Sequence, residues 1–128
     1  MKATLLRITG LILLLAALNG CAASRTFTQS GQASFYADKF EGRATTSGAI
    51  YRHSKLTAAH NTLPFGTVVL VTNERTNKSV KVTVNDRGPH AKGRVIDLSK
   101  KAAHQIGLVD GLAPVTLKVV KAATPVRR

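Results

Sequence analysis

Two short runs, Thr67-Val-Val-Leu-Val-Thr72 and Ser79-Val-Lys-Val-Thr-Val84, constrain this chain more than any other feature. The second alternates Val80, Val82 and Val84 with Ser79, Lys81 and Thr83, the period of a strand with one buried face. The turn chemistry of Asn73 to Lys78 lies between them, so together they predict a β-hairpin. Other pieces supply further short strands. Gly31 to Tyr36 reads as a first strand, Leu56 to His60 as a strand or a turn of helix, Arg94 to Asp97 as brief extended chain, and Val115 to Val120 as a last alternating strand. Asn61 to Gly66, with Pro64, reads as a turn. Asn85-Asp86-Arg87-Gly88-Pro89 is expected to break the strand before it, because proline cannot donate to a ladder. The Gly-, Thr- and Ser-rich stretch from Asp38 to Tyr51 reads as a long loop, more often a binding element than filler. Leu98 to Ile106 predicts one short helix, with Ser99 as N-cap, Gly107 as the stop, and Leu98, Ala102, Ala103 and Ile106 on its inward face. Short strands with one short helix imply a mainly β fold, a small barrel.

The N-terminal residues stand apart from that domain. Met1 to Arg7 is a short positive start, and Ile8 to Leu18 is an apolar run shorter than the ~20 residues of a spanning helix. This is the pattern of a secretory signal. It closes on Leu18-Asn19-Gly20-Cys21, which resembles the lipobox of bacterial lipoproteins, so that resemblance implies cleavage before Cys21 and lipidation there. Buried acyl chains, at roughly 0.8 kcal/mol per CH₂, would anchor the protein to a membrane. Ala22 rather than Asp after the cysteine points by the same resemblance to the outer membrane, facing the periplasm. The expected organisation is a signal peptide at 1–20, a lipidated tether at 21–30, a barrel at 31–121 and a basic tail at 122–128.

The chain carries 19 Lys and Arg against 6 Asp and Glu, a formal net charge of +13. Such a charge ordinarily suggests nucleic acid, but an export signal argues against it. Outside the inner membrane the abundant polyanions are lipid head groups and the cell wall, whose muramic acids and peptide stems carry carboxylates. A basic surface concentrates a protein on these by an attraction that salt weakens; a solvated basic face with no specific partner is the plainer alternative.

Four stretches, taken in order, resemble one family. They are Gly31-Gln-Ala-Ser-Phe-Tyr36 with Gly42-Arg43-Ala-Thr45-Thr-Ser-Gly48, then Leu56-Thr-Ala-Ala-His60 with Thr62-Leu-Pro64-Phe-Gly-Thr67, then Val84-Asn85-Asp86-Arg87-Gly-Pro89, and Gly93-Arg94-Val-Ile-Asp97-Leu-Ser99. The chain is similar here, from about Gly31 to Val120, to the rare lipoprotein A (RlpA) family. That resemblance implies a six-stranded double-psi β-barrel with one or two short helices, like the barrels of expansins. It also implies peptidoglycan lytic transglycosylase activity, which cuts the muramic acid to glucosamine bond and leaves a 1,6-anhydro end. The C-terminal peptidoglycan-binding repeat that many relatives carry is not expected in a chain of this length.

Cutting a glycosidic bond needs a carboxylic acid on the leaving oxygen. A lytic enzyme lets the sugar's own 6-hydroxyl attack, so one residue can act first as acid and then as base. Asp38, Glu41, Glu74 and Asp110 read as exposed, which leaves Asp86 and Asp97. By resemblance Asp86 maps onto the family's active-site Asp, and Asp97 onto the acid of expansin-like barrels. Ile96 and Leu98 beside Asp97 would raise its pKa by limiting solvation. Either could instead be structural: Asp86 paired with Arg87 or Arg94, Asp97 holding backbone N–H groups near the helix start. His60, in the family's Ala-Ala-His motif, is the third catalytic candidate, to bind substrate or orient a carboxylate; a half-buried, backbone-satisfied His is the alternative. Tyr36 and Tyr51 are candidates to stack on sugars, and Asn85 joins them as a substrate contact. Arg43, Arg87 and Arg94 would grip lactyl carboxylates. With one Cys and no His pair at ligand spacing, no metal site or cofactor is expected; a monomer acting on glycan strands is.

The chain departs from the family in one loop. Where the family pattern after Ser-Gly is Gly-Glu-x-Tyr-Asp, with both acids regarded as active-site residues, the sequence reads Gly48-Ala49-Ile50-Tyr51-Arg52. If an acid of that loop is obligatory, the protein is a non-catalytic, expansin-like glycan binder. If Asp86 or Asp97 is the acid, catalysis survives, with Arg52 holding anionic glycan. A structural envelope lipoprotein with a protein partner is a third, weaker reading.

Overall fold

A computed structural model describes residues 27–124. The signal peptide, Cys21 and the last tail residues lie outside them. Six strands close into a barrel: β1 (Thr28–Phe35), β2 (Thr57–Ala59), β3 (Val68–Asn73), β4 (Ser79–Asp86), β5 (Arg94–Leu98) and β6 (Ala113–Lys121), in the order β1-β5-β2-β4-β3-β6. The expected hairpin is β3 and β4, antiparallel from Val68 opposite Thr83 to Thr72 opposite Ser79. Two pairings, β1 with β5 and β2 with β4, are parallel. They demand crossovers, so the barrel's order departs from chain order. Inward-facing Val69, Val71, Val80, Val82, Val84, Ile96, Val115 and Leu117 fill the interior, joined by Leu98, Ile106 and Leu108.

Boundaries shift where long-range pairing overrides local signals. β1 begins at Thr28 rather than Gly31, because Thr28, Gln29 and Ser30 pair with Lys118, Leu117 and Thr116; the tether gives these residues to the barrel. β4 runs through Asn85 and Asp86 instead of breaking before them, since β2 extends the ladder in parallel, Ala59 opposite Asp86. Leu56 to His60 resolves as strand, β2. The helix α1 spans only Lys100–Gln105, with Leu98 buried from β5. Ser99 is its N-cap, accepting from the Ala102 N–H, and Ala102 and Ala103 are its buried residues. The expected loop from Asp38 holds a 3₁₀ turn, Asp38–Phe40, and a bridge between Ala44 and Ile50 that folds 44–50 as a small flap.

Gly31 marks a close approach of β1 and β5. A Cβ there would collide with Val95 Cγ1, on a β-branched side chain with little rotamer freedom. Gly31→Ala should therefore lose ~1–3 kcal/mol by overpacking, read as a lower urea midpoint at unchanged slope. An unchanged midpoint would mean that β5 yields at no cost.

Candidate active site

The two parallel pairs, β1 with β5 and β2 with β4, meet where β5 and β2 run antiparallel, and residues close to their C-terminal ends line up across the four strands. Ser34 pairs with Asp97, Asp97 with Ala59, and Ala59 with Asp86. Both candidate carboxylates thus stand on one row, two strand spacings or roughly 9.6 Å apart at the backbone, with only the Ala59 methyl between them. The row forms the floor of a cleft of about 690 Å³ walled by Tyr36, Phe40, Arg43, Ala44 and Thr45 on one side and by Arg87 to Ala91 with Arg94 on the other.

Asp86 is held from three directions. Tyr36 donates its phenol to Oδ2 at 2.6 Å, and the Thr46 and Arg87 backbone N–H groups each donate to Oδ1 at 2.9 Å. Partial burial pushes this carboxyl up. The three hydrogen bonds outweigh burial and hold it below the ordinary carboxylate value, so it is ionised at neutral pH. The same contact, after burial, pushes the Tyr36 phenol far up; it stays a donor. Thr46 sits at the flap tip, where Thr45 Oγ1 donates to the Ala49 carbonyl at 2.7 Å and Thr45 N to the same oxygen at 2.8 Å.

Asp97 faces the cleft with different partners. Arg94 Nη2 reaches both of its oxygens at 3.0 and 3.2 Å, and Ser34 Oγ donates to Oδ1 at 2.7 Å. Ile96, which was expected to shield it, points into the core on the opposite face of β5. Asp97 is tied to a guanidinium, whereas the partners of Asp86 are neutral hydrogen-bond donors.

His60 is not in the cleft. Its side chain is 2% exposed, its Nδ1 accepts from the Thr62 and Leu63 N–H groups at 3.2 Å, and its Nε2 lies 2.8 Å from Gln29 Oε1. Two donors aimed at Nδ1 fix the neutral tautomer with the proton on Nε2, donated to Gln29. Burial first, then Arg87, lowers its pKa. The motif histidine is a fold element: it ties the Asn61 to Leu63 turn to β1. Below about pH 6.5 an unfolded chain's imidazole takes up a proton that the folded one refuses. His60 therefore favours folding fully above that pH, and the contribution is lost as pH falls toward the lowered folded value. Melting midpoints should drop between about pH 7 and 5, and His60→Gln should flatten that slope; an equal slope in the variant would place its origin elsewhere.

Other expected contacts are also redistributed. Arg87 donates Nη1 to the His60 and Leu63 carbonyls at 3.0 and 2.7 Å and lies over the Phe65 ring, 4.1 Å from its centroid. Its guanidinium braces a turn while the residue also walls the cleft. Tyr51, 2% exposed, stacks on Tyr36 at 4.1 Å, with its hydroxyl on His53 Nδ1 and accepting from the Lys100 N–H. It sets the plane of Tyr36 and, though nearly buried, borders the cleft. Arg52 is turned away from the cleft, 3.6 Å from Glu41 Oε1. Asn85 precedes Asp86 on β4 and does not line the cleft. Tyr36, Arg43, Tyr51, Arg87 and Arg94 all line it, Arg43 lying over Phe40 at 5.7 Å. Sequence reasoning missed Thr46, whose contribution is a backbone N–H that no residue type announces, and Ser34, whose alignment with Asp97 follows only from the parallel register.

A closed barrel with crossed parallel strand pairs and a carboxylate row running across them defines the class: a double-psi β-barrel domain with a polar cleft. Residues 28–117 match the family described as lytic transglycolase, and the chain belongs to that family. It is 50% identical over 96 residues to the endolytic peptidoglycan transglycosylase RlpA of Pasteurella multocida, covering 74% of this chain and 33% of that protein. The RlpA of Vibrio cholerae is 49% identical over 102 residues, 79% of this chain and 39% of that protein. The chain thus spans between a third and two fifths of these relatives' length. Among solved structures the Streptomyces papain inhibitor superposes with a TM-score of 0.60 at 24% identity, over 74% of this chain and 96% of that one. A Clavibacter michiganensis expansin superposes with a TM-score of 0.56 at 22% identity, over 77% and 54%. Both share the barrel.

Proposed function

We propose that the chain is an endolytic peptidoglycan lytic transglycosylase that cleaves MurNAc–GlcNAc bonds and uses Asp86 as its acid and base. The observation that carries this reading is the Asp86 carboxylate, held on the cleft floor by Tyr36 and the flap amide of Thr46 in a family whose relatives bear that activity in their names. A glycosidic oxygen arriving at Oδ1 would displace the Thr46 N–H, removing a donor that holds the pKa down. Excluding water from the cleft would add to the burial that pushes it up. Both changes favour the protonated form, which gives its proton to the leaving oxygen as the C–O bond breaks. The carboxylate so formed then takes the proton of the 6-hydroxyl as that oxygen bonds to the anomeric carbon, closing the 1,6-anhydro ring. No water is consumed. Arg43 and Arg94 supply positive charge to lactyl carboxylates along the groove.

The same reading takes Cys21 as a lipidated N-terminus that holds the barrel on the periplasmic side of the outer membrane, within reach of the wall. Loss of the family's loop acids at Ala49 and Arg52 favours one alternative, a glycan binder without catalysis. Purified chain incubated with stem-free peptidoglycan decides between them by mass spectrometry of the products. Anhydromuramyl ends that persist in Asp97→Ala and vanish in Asp86→Ala support the proposal. Retention on wall sacculi without any such ends establishes the binder.

A further inference from the structure

Across the barrel from β5 and β2, the outward side chains of β1, β6, β3 and β4 form a grid that the cleft chemistry does not use. Register places Thr28, Lys118, Leu70 and Lys81 in one row across the four strands, and Ser30, Thr116, Thr72 and Ser79 in the next. The second row carries only hydroxyls. Two of its contacts are already oriented: Thr72 Oγ1 and Ser79 Oγ lie 2.7 Å apart, and Thr116 Oγ1 donates to Glu74 Oε1 at 2.8 Å. Each row spans roughly 14 Å, and the backbone sites of Lys81 and Lys118, either side of Leu70, are about 9.6 Å apart. That is comparable with the length of a disaccharide in an extended β-1,4-linked glycan.

The charge on this face is mainly positive. Lys78, Lys81, Lys118 and Lys121 are exposed here, and Glu74 at its edge is engaged by Thr116. Asp38, Glu41, Asp86 and Asp97 lie on the cleft side of the domain, each with its own partner. We propose that this face is a second binding surface, for an extended polysaccharide that carries carboxylates, and that it holds the strand independently of the cleft. Hydroxyls both donate and accept, as sugar hydroxyls require, and the flanking lysines meet the carboxylates. A bilayer would call for apolar side chains to enter it, whereas Leu70 is half-buried and, of the exposed large apolar residues, only Val120 stands at the edge of the face. That the polymer is wall glycan rests on the function proposed for the cleft.

The test separates the two sites. In an Asp86→Asn background, which binds without cutting, Lys81→Gln with Lys118→Gln should lower retention on wall sacculi about tenfold and make the remaining binding less sensitive to salt. With Asp86 intact, the same lysine variant should cleave short soluble glycans at the unaltered rate, because neither lysine lines the cleft. Unchanged retention would overturn the proposal. So would a lysine-dependent affinity for phosphatidylglycerol vesicles exceeding that for sacculi, which would assign the face to the membrane. If short glycans yield no anhydro ends while retention still depends on the lysines, the cleft reading fails and this surface stands.

Discussion

Asp86→Asn is expected to lower glycan cleavage by on the order of 10²–10⁴-fold, the contribution of a positioned acid and base, while leaving the fold in place. The amide fits the carboxylate's contacts. Its oxygen can accept from the Thr46 and Arg87 N–H groups, and its nitrogen can donate to the Tyr36 oxygen. What it lacks is a proton to give and a charge to offer. A melting curve close to the parent's, with anhydro product at background, is the expected pair of results. Product within a few-fold of the parent would remove Asp86 from the mechanism. Because the three hydrogen bonds lower the carboxyl's pKa, the protonated fraction of the free enzyme falls tenfold per pH unit above it. Turnover by the parent should accordingly rise as pH is lowered from neutrality toward 5, until loss of the fold intervenes.

Ala49→Glu is the second large effect, in the opposite direction. The resemblance places an acid at this position, and the flap that carries it also delivers Thr46 to Asp86. Ala49 is exposed and its carbonyl keeps both bonds from Thr45 whatever its side chain, so substitution should change stability by no more than ~0.5 kcal/mol. A second carboxyl near the rim would share the proton transfers that now fall to Asp86 alone. Initial rates of anhydro-end formation should rise by roughly 10²-fold, and the pH profile should flatten toward neutrality. No gain in rate would mean that the flap's acid does not reach the reacting bond in this barrel.

The repeating parts of the fold were readable along the chain. The apolar run Val68 to Val71 and the alternating valines of 80–84 defined β3 and β4, and Ser99 announced the start of α1, because each depends on neighbours within a few residues. The cleft was readable in part: Asp86 and Asp97 emerged by elimination among six acids, and both lie on its floor. The roles of the residues around them were not. Tyr36 meets Asp86 across 50 positions and Thr46 meets it across 40, contacts created by crossed parallel strands that no local period encodes. His60, Arg87 and Tyr51 carry the chemistry of an active site in their side chains. Hydrogen bonding ties each of them to a neighbouring turn or ring, and of the three only His60 lies outside the cleft lining, an outcome set by the strands and turns packed on them.

The ring of strands also dictates the order in which this protein can come into being. β6, the last strand, is the only bridge between β1 and β3, so until Lys121 has emerged both of those strands present an open edge. An exposed edge invites pairing with another chain, and pairings between remote segments form slowly. A version ending before Ala113 should therefore fail as a whole instead of losing one corner. For a chain that emerges N-terminus first, closure of the barrel must wait for β6.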